Sequence, residues 1–383
     1  MATIDVCAVG DIILDEPVPV DRFFNFCKDT LRQADLLIGQ VEVPHTSRGV
    51  SNSTDIQAPP AAPENLEVLR DCGFDIATLS GNHICDCGPA GVTDTYDKLK
   101  ELGITPQGAG ADIHIAKEAA FSVINGCRFG LISYNTVGPS FSYATSQKAG
   151  CAYLKVYTHF ETATGAPGAS FPPKVFTFVD PDDLLMMQDE IAALKKNCDI
   201  AIVSLHKGGL YPMGKLEMYE RPLARAAVDA GADIVISQHA HRCRGIEIYK
   251  GRPIYHGLGN FVCVTYALTP GYHDTEEKLR AAEMRKRAGT LREYECPYQP
   301  WAEEAKNVMI AKVLVDSGTK TIADFGFIPC LTDGEGAVHV KDINDGQSVA
   351  DYMSEITANA GLDTVYRWAE DGSWIRAVSG THV

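Results

Sequence analysis

Positive charge is in short supply in this chain: 34 lysines and arginines stand against 50 aspartates and glutamates, a net charge of −16 over 383 residues. A surface of that sign repels nucleic-acid phosphates and anionic lipid, so neither nucleic acid nor membrane is an expected partner. Long apolar runs are missing too, and none approaches the roughly 20 residues that cross a bilayer. The opening stretch MATIDVCAVGDIILDEPV has neither a basic leader nor a long apolar segment behind one, and the expectation is a soluble, cytoplasmic protein. The twelve cysteines lack the paired C-x-x-C knuckles of a structural zinc site. They read as reduced thiols; Cys7 in IDVCAVG and Cys263 in NFVCV sit in apolar, strand-like runs where cysteine acts as a small hydrophobe. No repeat and no long polar linker divides the chain, so one domain over 1–383 is expected.

What the sequence does have is an alternation of short apolar runs with helical patterns over its first 240 residues, the pattern of βαβ units and a largely parallel sheet. The run IDVCAVGD ends at Asp11, and ADLLIGQVE ends at Glu42. DIATLS leads into Gly81, Asn82 and His83, DIAIVSL ends at His206, and ADIVISQHAH delivers His239 and His241. FSVINGCRFGLISYN predicts a tight hairpin turning at Asn125 and Gly126. PDDLLMMQDEIAALKKN, acidic at its start and basic at its end, predicts a helix. From residue 307 the pattern predicts two antiparallel strands, then two C-terminal helices.

Five strand-like runs thus end on residues able to bind a metal or move a proton, and in open α/β sheets ligands bind at that edge. Singly, each has a bland reading: a buried histidine is commonly a hydrogen-bonded core residue, and Asp11 or Asn82 could cap a helix. Jointly, Asp11, Glu42, Asn82, His206, His239 and His241 form a mixed oxygen and nitrogen set suited to one or two ions of manganese, zinc or iron. The stretch LSGNHICDCG contributes Asn82 and His83 rather than thiolates. His83 is placed to act as an acid or base, and Asp86, three residues on, either orients its ring or caps the next helix. Cys85 and Cys87 are expected to pack.

Taken in order, VGDIIL, GQVEVP, LSGNHICDCGPAGVTDT, PQGAGAD, SLHKG and GADIVISQHAHRCRGIEIYKGRPIYHGLGNF resemble the motifs of the CapA proteins, named for capsule and poly-γ-glutamate biosynthesis. Those belong to the calcineurin-like metallophosphatase superfamily, and the resemblance covers residues 4 to 264. It implies an α/β fold in which a β-sandwich is flanked by helices in α/β/β/α layers. It further implies that Asp11, Glu42 and His241 hold a first metal, and that Glu42, Asn82, His206 and His239 hold a second. His83 would be an acid/base histidine that does not bind metal. Two positions depart from the phosphoesterase pattern: Ile13 stands where the first motif has a histidine, and Glu42 replaces the bridging aspartate. Both argue against an ordinary phosphomonoesterase.

The functional expectation is a metal-dependent hydrolase acting on an amide, peptide or related bond of a small anionic, carboxylated substrate. The alternatives are a metal-dependent epimerase or lyase, a phosphoesterase, and a non-catalytic accessory protein of polymer synthesis. Homo-oligomerisation is left open. Two insertions, about 138–179 and 265–305, are candidates for choosing the substrate. The second concentrates Lys278, Arg280, Arg285, Lys286, Arg287 and Arg292, followed by Tyr294, Tyr298 and Trp301. Such a charge run is usually a solvated helix face; the functional reading is a lid whose Arg285 and Arg287 clamp the substrate anion. Lys207, Arg242 and His256, beside the proposed ligands, are further candidates for substrate contact.

Overall fold

A computed structural model describes residues 2–15, 18–49, 59–161, 173–210, 214–265, 298 and 301–380. A ten-stranded sheet is built from β1 (Thr3–Leu14), β2 (Leu36–Val41), β3 (Ile76–Thr78), β4 (Thr105–Gln107), β15 (Asn260–Val264), β16 (Asn307–Asp316), β17 (Thr321–Thr332), β18 (Val338–Val340), β19 (Thr364–Trp368) and β20 (Ile375–Ser379). A six-stranded sheet holds β6 (Ala120–Ile124), β7 (Cys127–Asn135), β11 (Ile200–Lys207), β12 (Ile234–His239), β13 (Ile246–Tyr249) and β14 (Arg252–Tyr255). Two small ribbons pair β5 (Ala109–Gly110) with β8 (Gly150–Cys151), and β9 (Val156–Glu161) with β10 (Lys174–Val179).

Side-chain parity shows how the layers stack. Along β1, Ile4, Val6 and Ala8 enter one apolar core and Cys7 and Val9 another. Along β11, Ile200 and Ile202 share the core of Ile4 and Val6, whereas Ala201, Val203 and Leu205 face away. The shared core is therefore the interior of a sandwich, with both sheets buried on both faces. Helices Glu67–Cys72 and Gly88–Glu101 cover the outer face of the ten-stranded sheet through Val68, Leu69, Val92 and Leu99. Helices Pro181–Lys195 and Glu220–Asp229 cover that of the six-stranded sheet through Met187, Ile191, Leu223 and Ala227. The helix Gln347–Asn359 packs Val349, Met353 and Ile356 against Met309, Phe327 and Ile375 in the shared core.

The architecture is thus α/β/β/α. The β-sandwich implied by the family resemblance is present, and the largely parallel sheet expected from the alternating pattern is corrected to two mixed sheets. Parallel neighbours (β1 with β2, β11 with β12) carry the βαβ pattern, and β16 and β17 add antiparallel strands that extend the first sheet. The second expected C-terminal helix is instead the antiparallel pair β19 and β20. Its TVYRW segment is rich in β-branched and aromatic residues and alternates buried with less buried positions, a period of two. The Asn125–Gly126 hairpin forms as expected, with φ of 50° and 76° at the turn. Among the described residues no helix is long and apolar enough to cross a membrane.

Candidate metal centre

Outward parity in β1 runs 7, 9 and then 12, 14, so it shifts by one residue between Val9 and Ile12. The pairings with β2 and β15 slip at the same place. This bulge re-aims Asp11, which is fully buried, toward the seam between the sheets. Gly10 is required there, because a Cβ at that position would lie 1.9 Å from the Gly259 carbonyl oxygen. The same approach lets the Asp11 amide donate to that carbonyl at 3.0 Å. Glu42 follows the end of β2, and Asn82 and His83 follow β3. His206 keeps the inward parity of Ile200 and Ile202. His239 has the outward parity of Val235, but a left-handed backbone, φ 89°, redirects it; His241 is left-handed too, φ 51°. Each such conformation costs a non-glycine residue about 1–3 kcal/mol and persists where the surroundings enforce it.

Six donors meet at this seam. One group joins Glu42, His206 and His239, the other Asp11, Glu42 and His241, each with its ligand atoms within 4.8 Å of one another, and Glu42 belongs to both. Glu42 Oε1 lies 3.6 Å from His206 Nε2 and 3.6 Å from His241 Nε2. Asn82 Oδ1 is 2.7 Å from His206 Nε2. Ligands of one metal ion lie about 3–3.4 Å apart, so these spacings need little adjustment. Asp11 Oδ1, His206 Nδ1 and His239 Nδ1 are buried without a hydrogen-bond partner. Carboxylates and imidazoles left this way are costly unless a cation binds. The mixed oxygen and nitrogen set fits a divalent transition ion.

The electrostatics agree. Burial holds His206 and His239 well below the usual histidine range, helped by the neighbouring histidines, so both rings are neutral and able to ligate. Burial raises Asp11 to about 7, opposed by the His239 amide and by His83. Asn260, paired with Asp11 across β1 and β15, accepts from His241 Nδ1 at 2.7 Å. With the amide oriented so, the His241 proton sits on Nδ1 and the Nε2 lone pair faces Glu42. Trp301 stacks on the His241 ring, centroids 4.3 Å apart, and donates from Nε1 to the Cys263 carbonyl. Ile13, Cys263 and Trp301 form an apolar wall beside the first group. Asn260 has no role in the sequence reading, where its only signal is GLGNF, and Trp301 enters there only as part of the aromatic cluster after the basic run, not as a neighbour of His241.

His83 and Asp86 are both buried, and His83 Nδ1 lies 2.7 Å from Asp86 Oδ2. His83 adjoins Asn82, whose Oδ1 meets His206 at 2.7 Å, which sets the pair beside the centre. Cys85 and Cys87 are buried free thiols, and burial pushes Cys87 up to about 11. Neither belongs to a ligand group.

The substrate contacts expected at Lys207 and His256 are corrected. Lys207 alternates with His206 to the outer face, where its ammonium donates to Glu220 at 2.7 Å and to the His256 carbonyl at 3.2 Å. His256 is fully buried and pairs with Glu247 at 3.0 Å. Arg242 is also committed internally: it donates to the Leu210 carbonyl at 2.7 Å and ion-pairs with Glu304. Arg285 and Arg287 lie outside the described residues.

Comparison with known proteins identifies the family. The sequence model of the family described as "Bacterial capsule synthesis protein PGA_cap" matches residues 5–265. Similar curated proteins include the capsule biosynthesis protein CapA of Bacillus anthracis, 26% identical over 66% of this chain and 58% of that one. The PGA biosynthesis protein CapA of Bacillus subtilis is 28% identical over 74% of this chain and 68% of that one. A solved phosphatase from Mycoplasma pneumoniae aligns over 86% of this chain and 94% of its own at 14% identity, with a TM-score of 0.45. The chain belongs to the PGA_cap family.

Proposed function

We propose that this family member is a metal-dependent hydrolase of an amide, peptide or related bond in a small carboxylated substrate. The observation that carries the reading is the meeting of two donor groups, sharing Glu42, with the His83–Asp86 pair at one seam. Asp11, Glu42, Asn82, His206, His239 and His241 would hold one or two ions of manganese, zinc or iron. When bound, such an ion supplies Lewis-acid polarisation of a carbonyl or phosphoryl oxygen and acidifies water. Asp86 keeps the His83 proton on Nδ1, so the opposite ring nitrogen exchanges a proton with the leaving group. Asn260 and Trp301 hold His241 from two sides.

The test is metal content per chain for the wild type, Glu42→Ala and His239→Ala, purified without chelators, followed by turnover on N-acyl and γ-glutamyl amides. Near-stoichiometric metal lost in both variants, with turnover lost alongside, is the expected result. A wild type that takes up no metal even on reconstitution overturns it and leaves a non-catalytic accessory role. Solvent deuterium appearing at carbon in the product would mean epimerase or lyase chemistry, and turnover of an aryl phosphate alone would mean a phosphoesterase.

A further inference from the structure

The ribbon of β9 and β10 stands apart from both sheets, and among the described residues neither strand pairs with a third. β9 is exposed from Tyr157 to Glu161. Four of the thirteen large apolar side chains left exposed among the described residues belong to this ribbon: Tyr157 (45%), Phe160 (62%), Val175 (50%) and Phe178 (44%). A two-stranded ribbon is marginal alone, and an open edge is a template for another strand. The usual guards are missing, since β9 has no proline, no bulge in its pairing with β10 and no lysine, arginine or carboxylate between Lys155 and Glu161.

The ladder fixes which backbone groups face that edge. The Asp180 amide donates to the Lys155 carbonyl at 2.8 Å, so Lys155, Tyr157, His159 and Glu161 turn their N–H and C=O groups toward β10. Those of Val156, Thr158 and Phe160 point to the open side, and an identical antiparallel strand can pair there only even residue to even residue. Centred on Thr158, that pairing sets Val156 against Phe160 and Thr158 against its own copy. It also sets Lys155 of each copy opposite Glu161 of the other. Lys174 already neighbours Glu161, and Asp180 neighbours Lys155. Lys174 and Glu161 of one chain with Lys155 and Asp180 of the other therefore make a row of alternating sign across four strands. The row beside it brings Phe176 and His159 against Tyr157 and Phe178, extending ring contacts of 6.3 and 5.7 Å made within each ribbon. In a chain of net charge −16, a charge-balanced surface that matches itself is where two copies can approach.

We propose that β9 is the contact between two copies of this chain, joined edge to edge about Thr158 into a four-stranded antiparallel sheet in the order β10, β9, β9, β10. The contact does not depend on the hydrolase reading.

The test is sedimentation velocity of the full chain from low to high micromolar concentration, with thermal melts to check folding. The wild type is expected to pass from monomer to dimer. Lys155→Glu puts glutamates face to face in both pairs, and Glu161→Lys puts lysines there; each alone should weaken association about tenfold or more. Mixed in equal amounts, the two variants restore opposite charges in both pairs, and the dimer should return. Thr158→Pro removes the central outward N–H and leaves the bonds to β10 intact, so it should abolish the dimer with little change in Tm. A wild type that stays monomeric throughout, a dimer that survives Thr158→Pro, or single reversals that associate as well as their mixture overturns the proposal. If Thr158→Pro does not fold, the single reversals against their mixture decide alone.

Discussion

His206 and Lys207 are consecutive residues of one strand, both fully buried, and they open onto two different kinds of polar cluster. On the inner side, His206 joins a set in which Asp11 Oδ1, His206 Nδ1 and His239 Nδ1 find no hydrogen-bond partner, the first two facing each other at 3.9 Å. On the outer side, Lys207, Glu220, His256 and Glu247 form a chain of short contacts that continues to Arg221 and Arg225. There the Glu247 carboxyl is held down at about 2 by His256 and the arginines, against the burial that opposes ionisation. The inner cluster sets two carboxylates among histidines and an amide, whereas the outer one balances two glutamates with Lys207, Arg221 and Arg225. Satisfaction separates them: the closed network supports the sandwich, and the open one awaits a ligand.

The strongest way to break this comparison is to remove a member of each cluster. His239→Ala should abolish metal binding and turnover while leaving the Tm of the metal-free protein near that of the wild type, as read by elemental analysis and thermal melts. Glu220→Ala should do the reverse: it strands Lys207 and costs roughly 3–5 kcal/mol in denaturant unfolding, with metal uptake retained by whatever remains folded. Were the two variants to behave alike, the distinction between open and closed clusters would fail.

A smaller effect sharpens the role of the His83–Asp86 pair. Asp86→Asn should lower turnover about 10–100-fold at unchanged metal content. Unchanged turnover would reduce Asp86 to a loop carboxylate.

The smallest effect is graded with pH. Asp11 is raised to about 7, so in the metal-free protein its proton contributes stability that is fully present below the unfolded carboxyl value near 4 and lost as pH rises through 7. A metal replaces that proton, so affinity should rise up to about tenfold per pH unit below 7 and flatten above it. His206 and His239 are already neutral there and add no slope. Calorimetry in buffers of different ionisation enthalpy reads the released proton directly, and a flat profile between pH 6 and 8 would contradict the picture.

The metal-capable residues were legible because short apolar runs have sharp ends, and Asp11, Glu42, Asn82, His206, His239 and His241 all fall there. The division into two sheets was legible only through the family resemblance and not through the apolar pattern, because strands buried on both faces have no polar stripe to mark which side is which. The fate of Lys207 could have been read from strand alternation alone. That of His239 could not, since its inward turn depends on a backbone conformation no composition signals. Arg242 stood out as a charge beside a ligand, yet only the positions of Glu304 and Leu210 show that it is already engaged. Trp301 reaches His241 from sixty residues downstream, beyond any local pattern.

The contact of Gly10 with Gly259 bears on the order in which the protein is made. β1 is synthesised long before two of its neighbours, β15 and β16, which follow it by more than 240 residues. The bulge that presents Asp11 is fixed only when the carbonyl of Gly259 arrives, and Asn260 and Trp301 come with or after it. A chain still on the ribosome would carry Asp11, Glu42, Asn82, His206 and His239 without the strand that sets them. Metal capture is thereby tied to synthesis beyond residue 301, and a chain ended before that point would not compete for the ion.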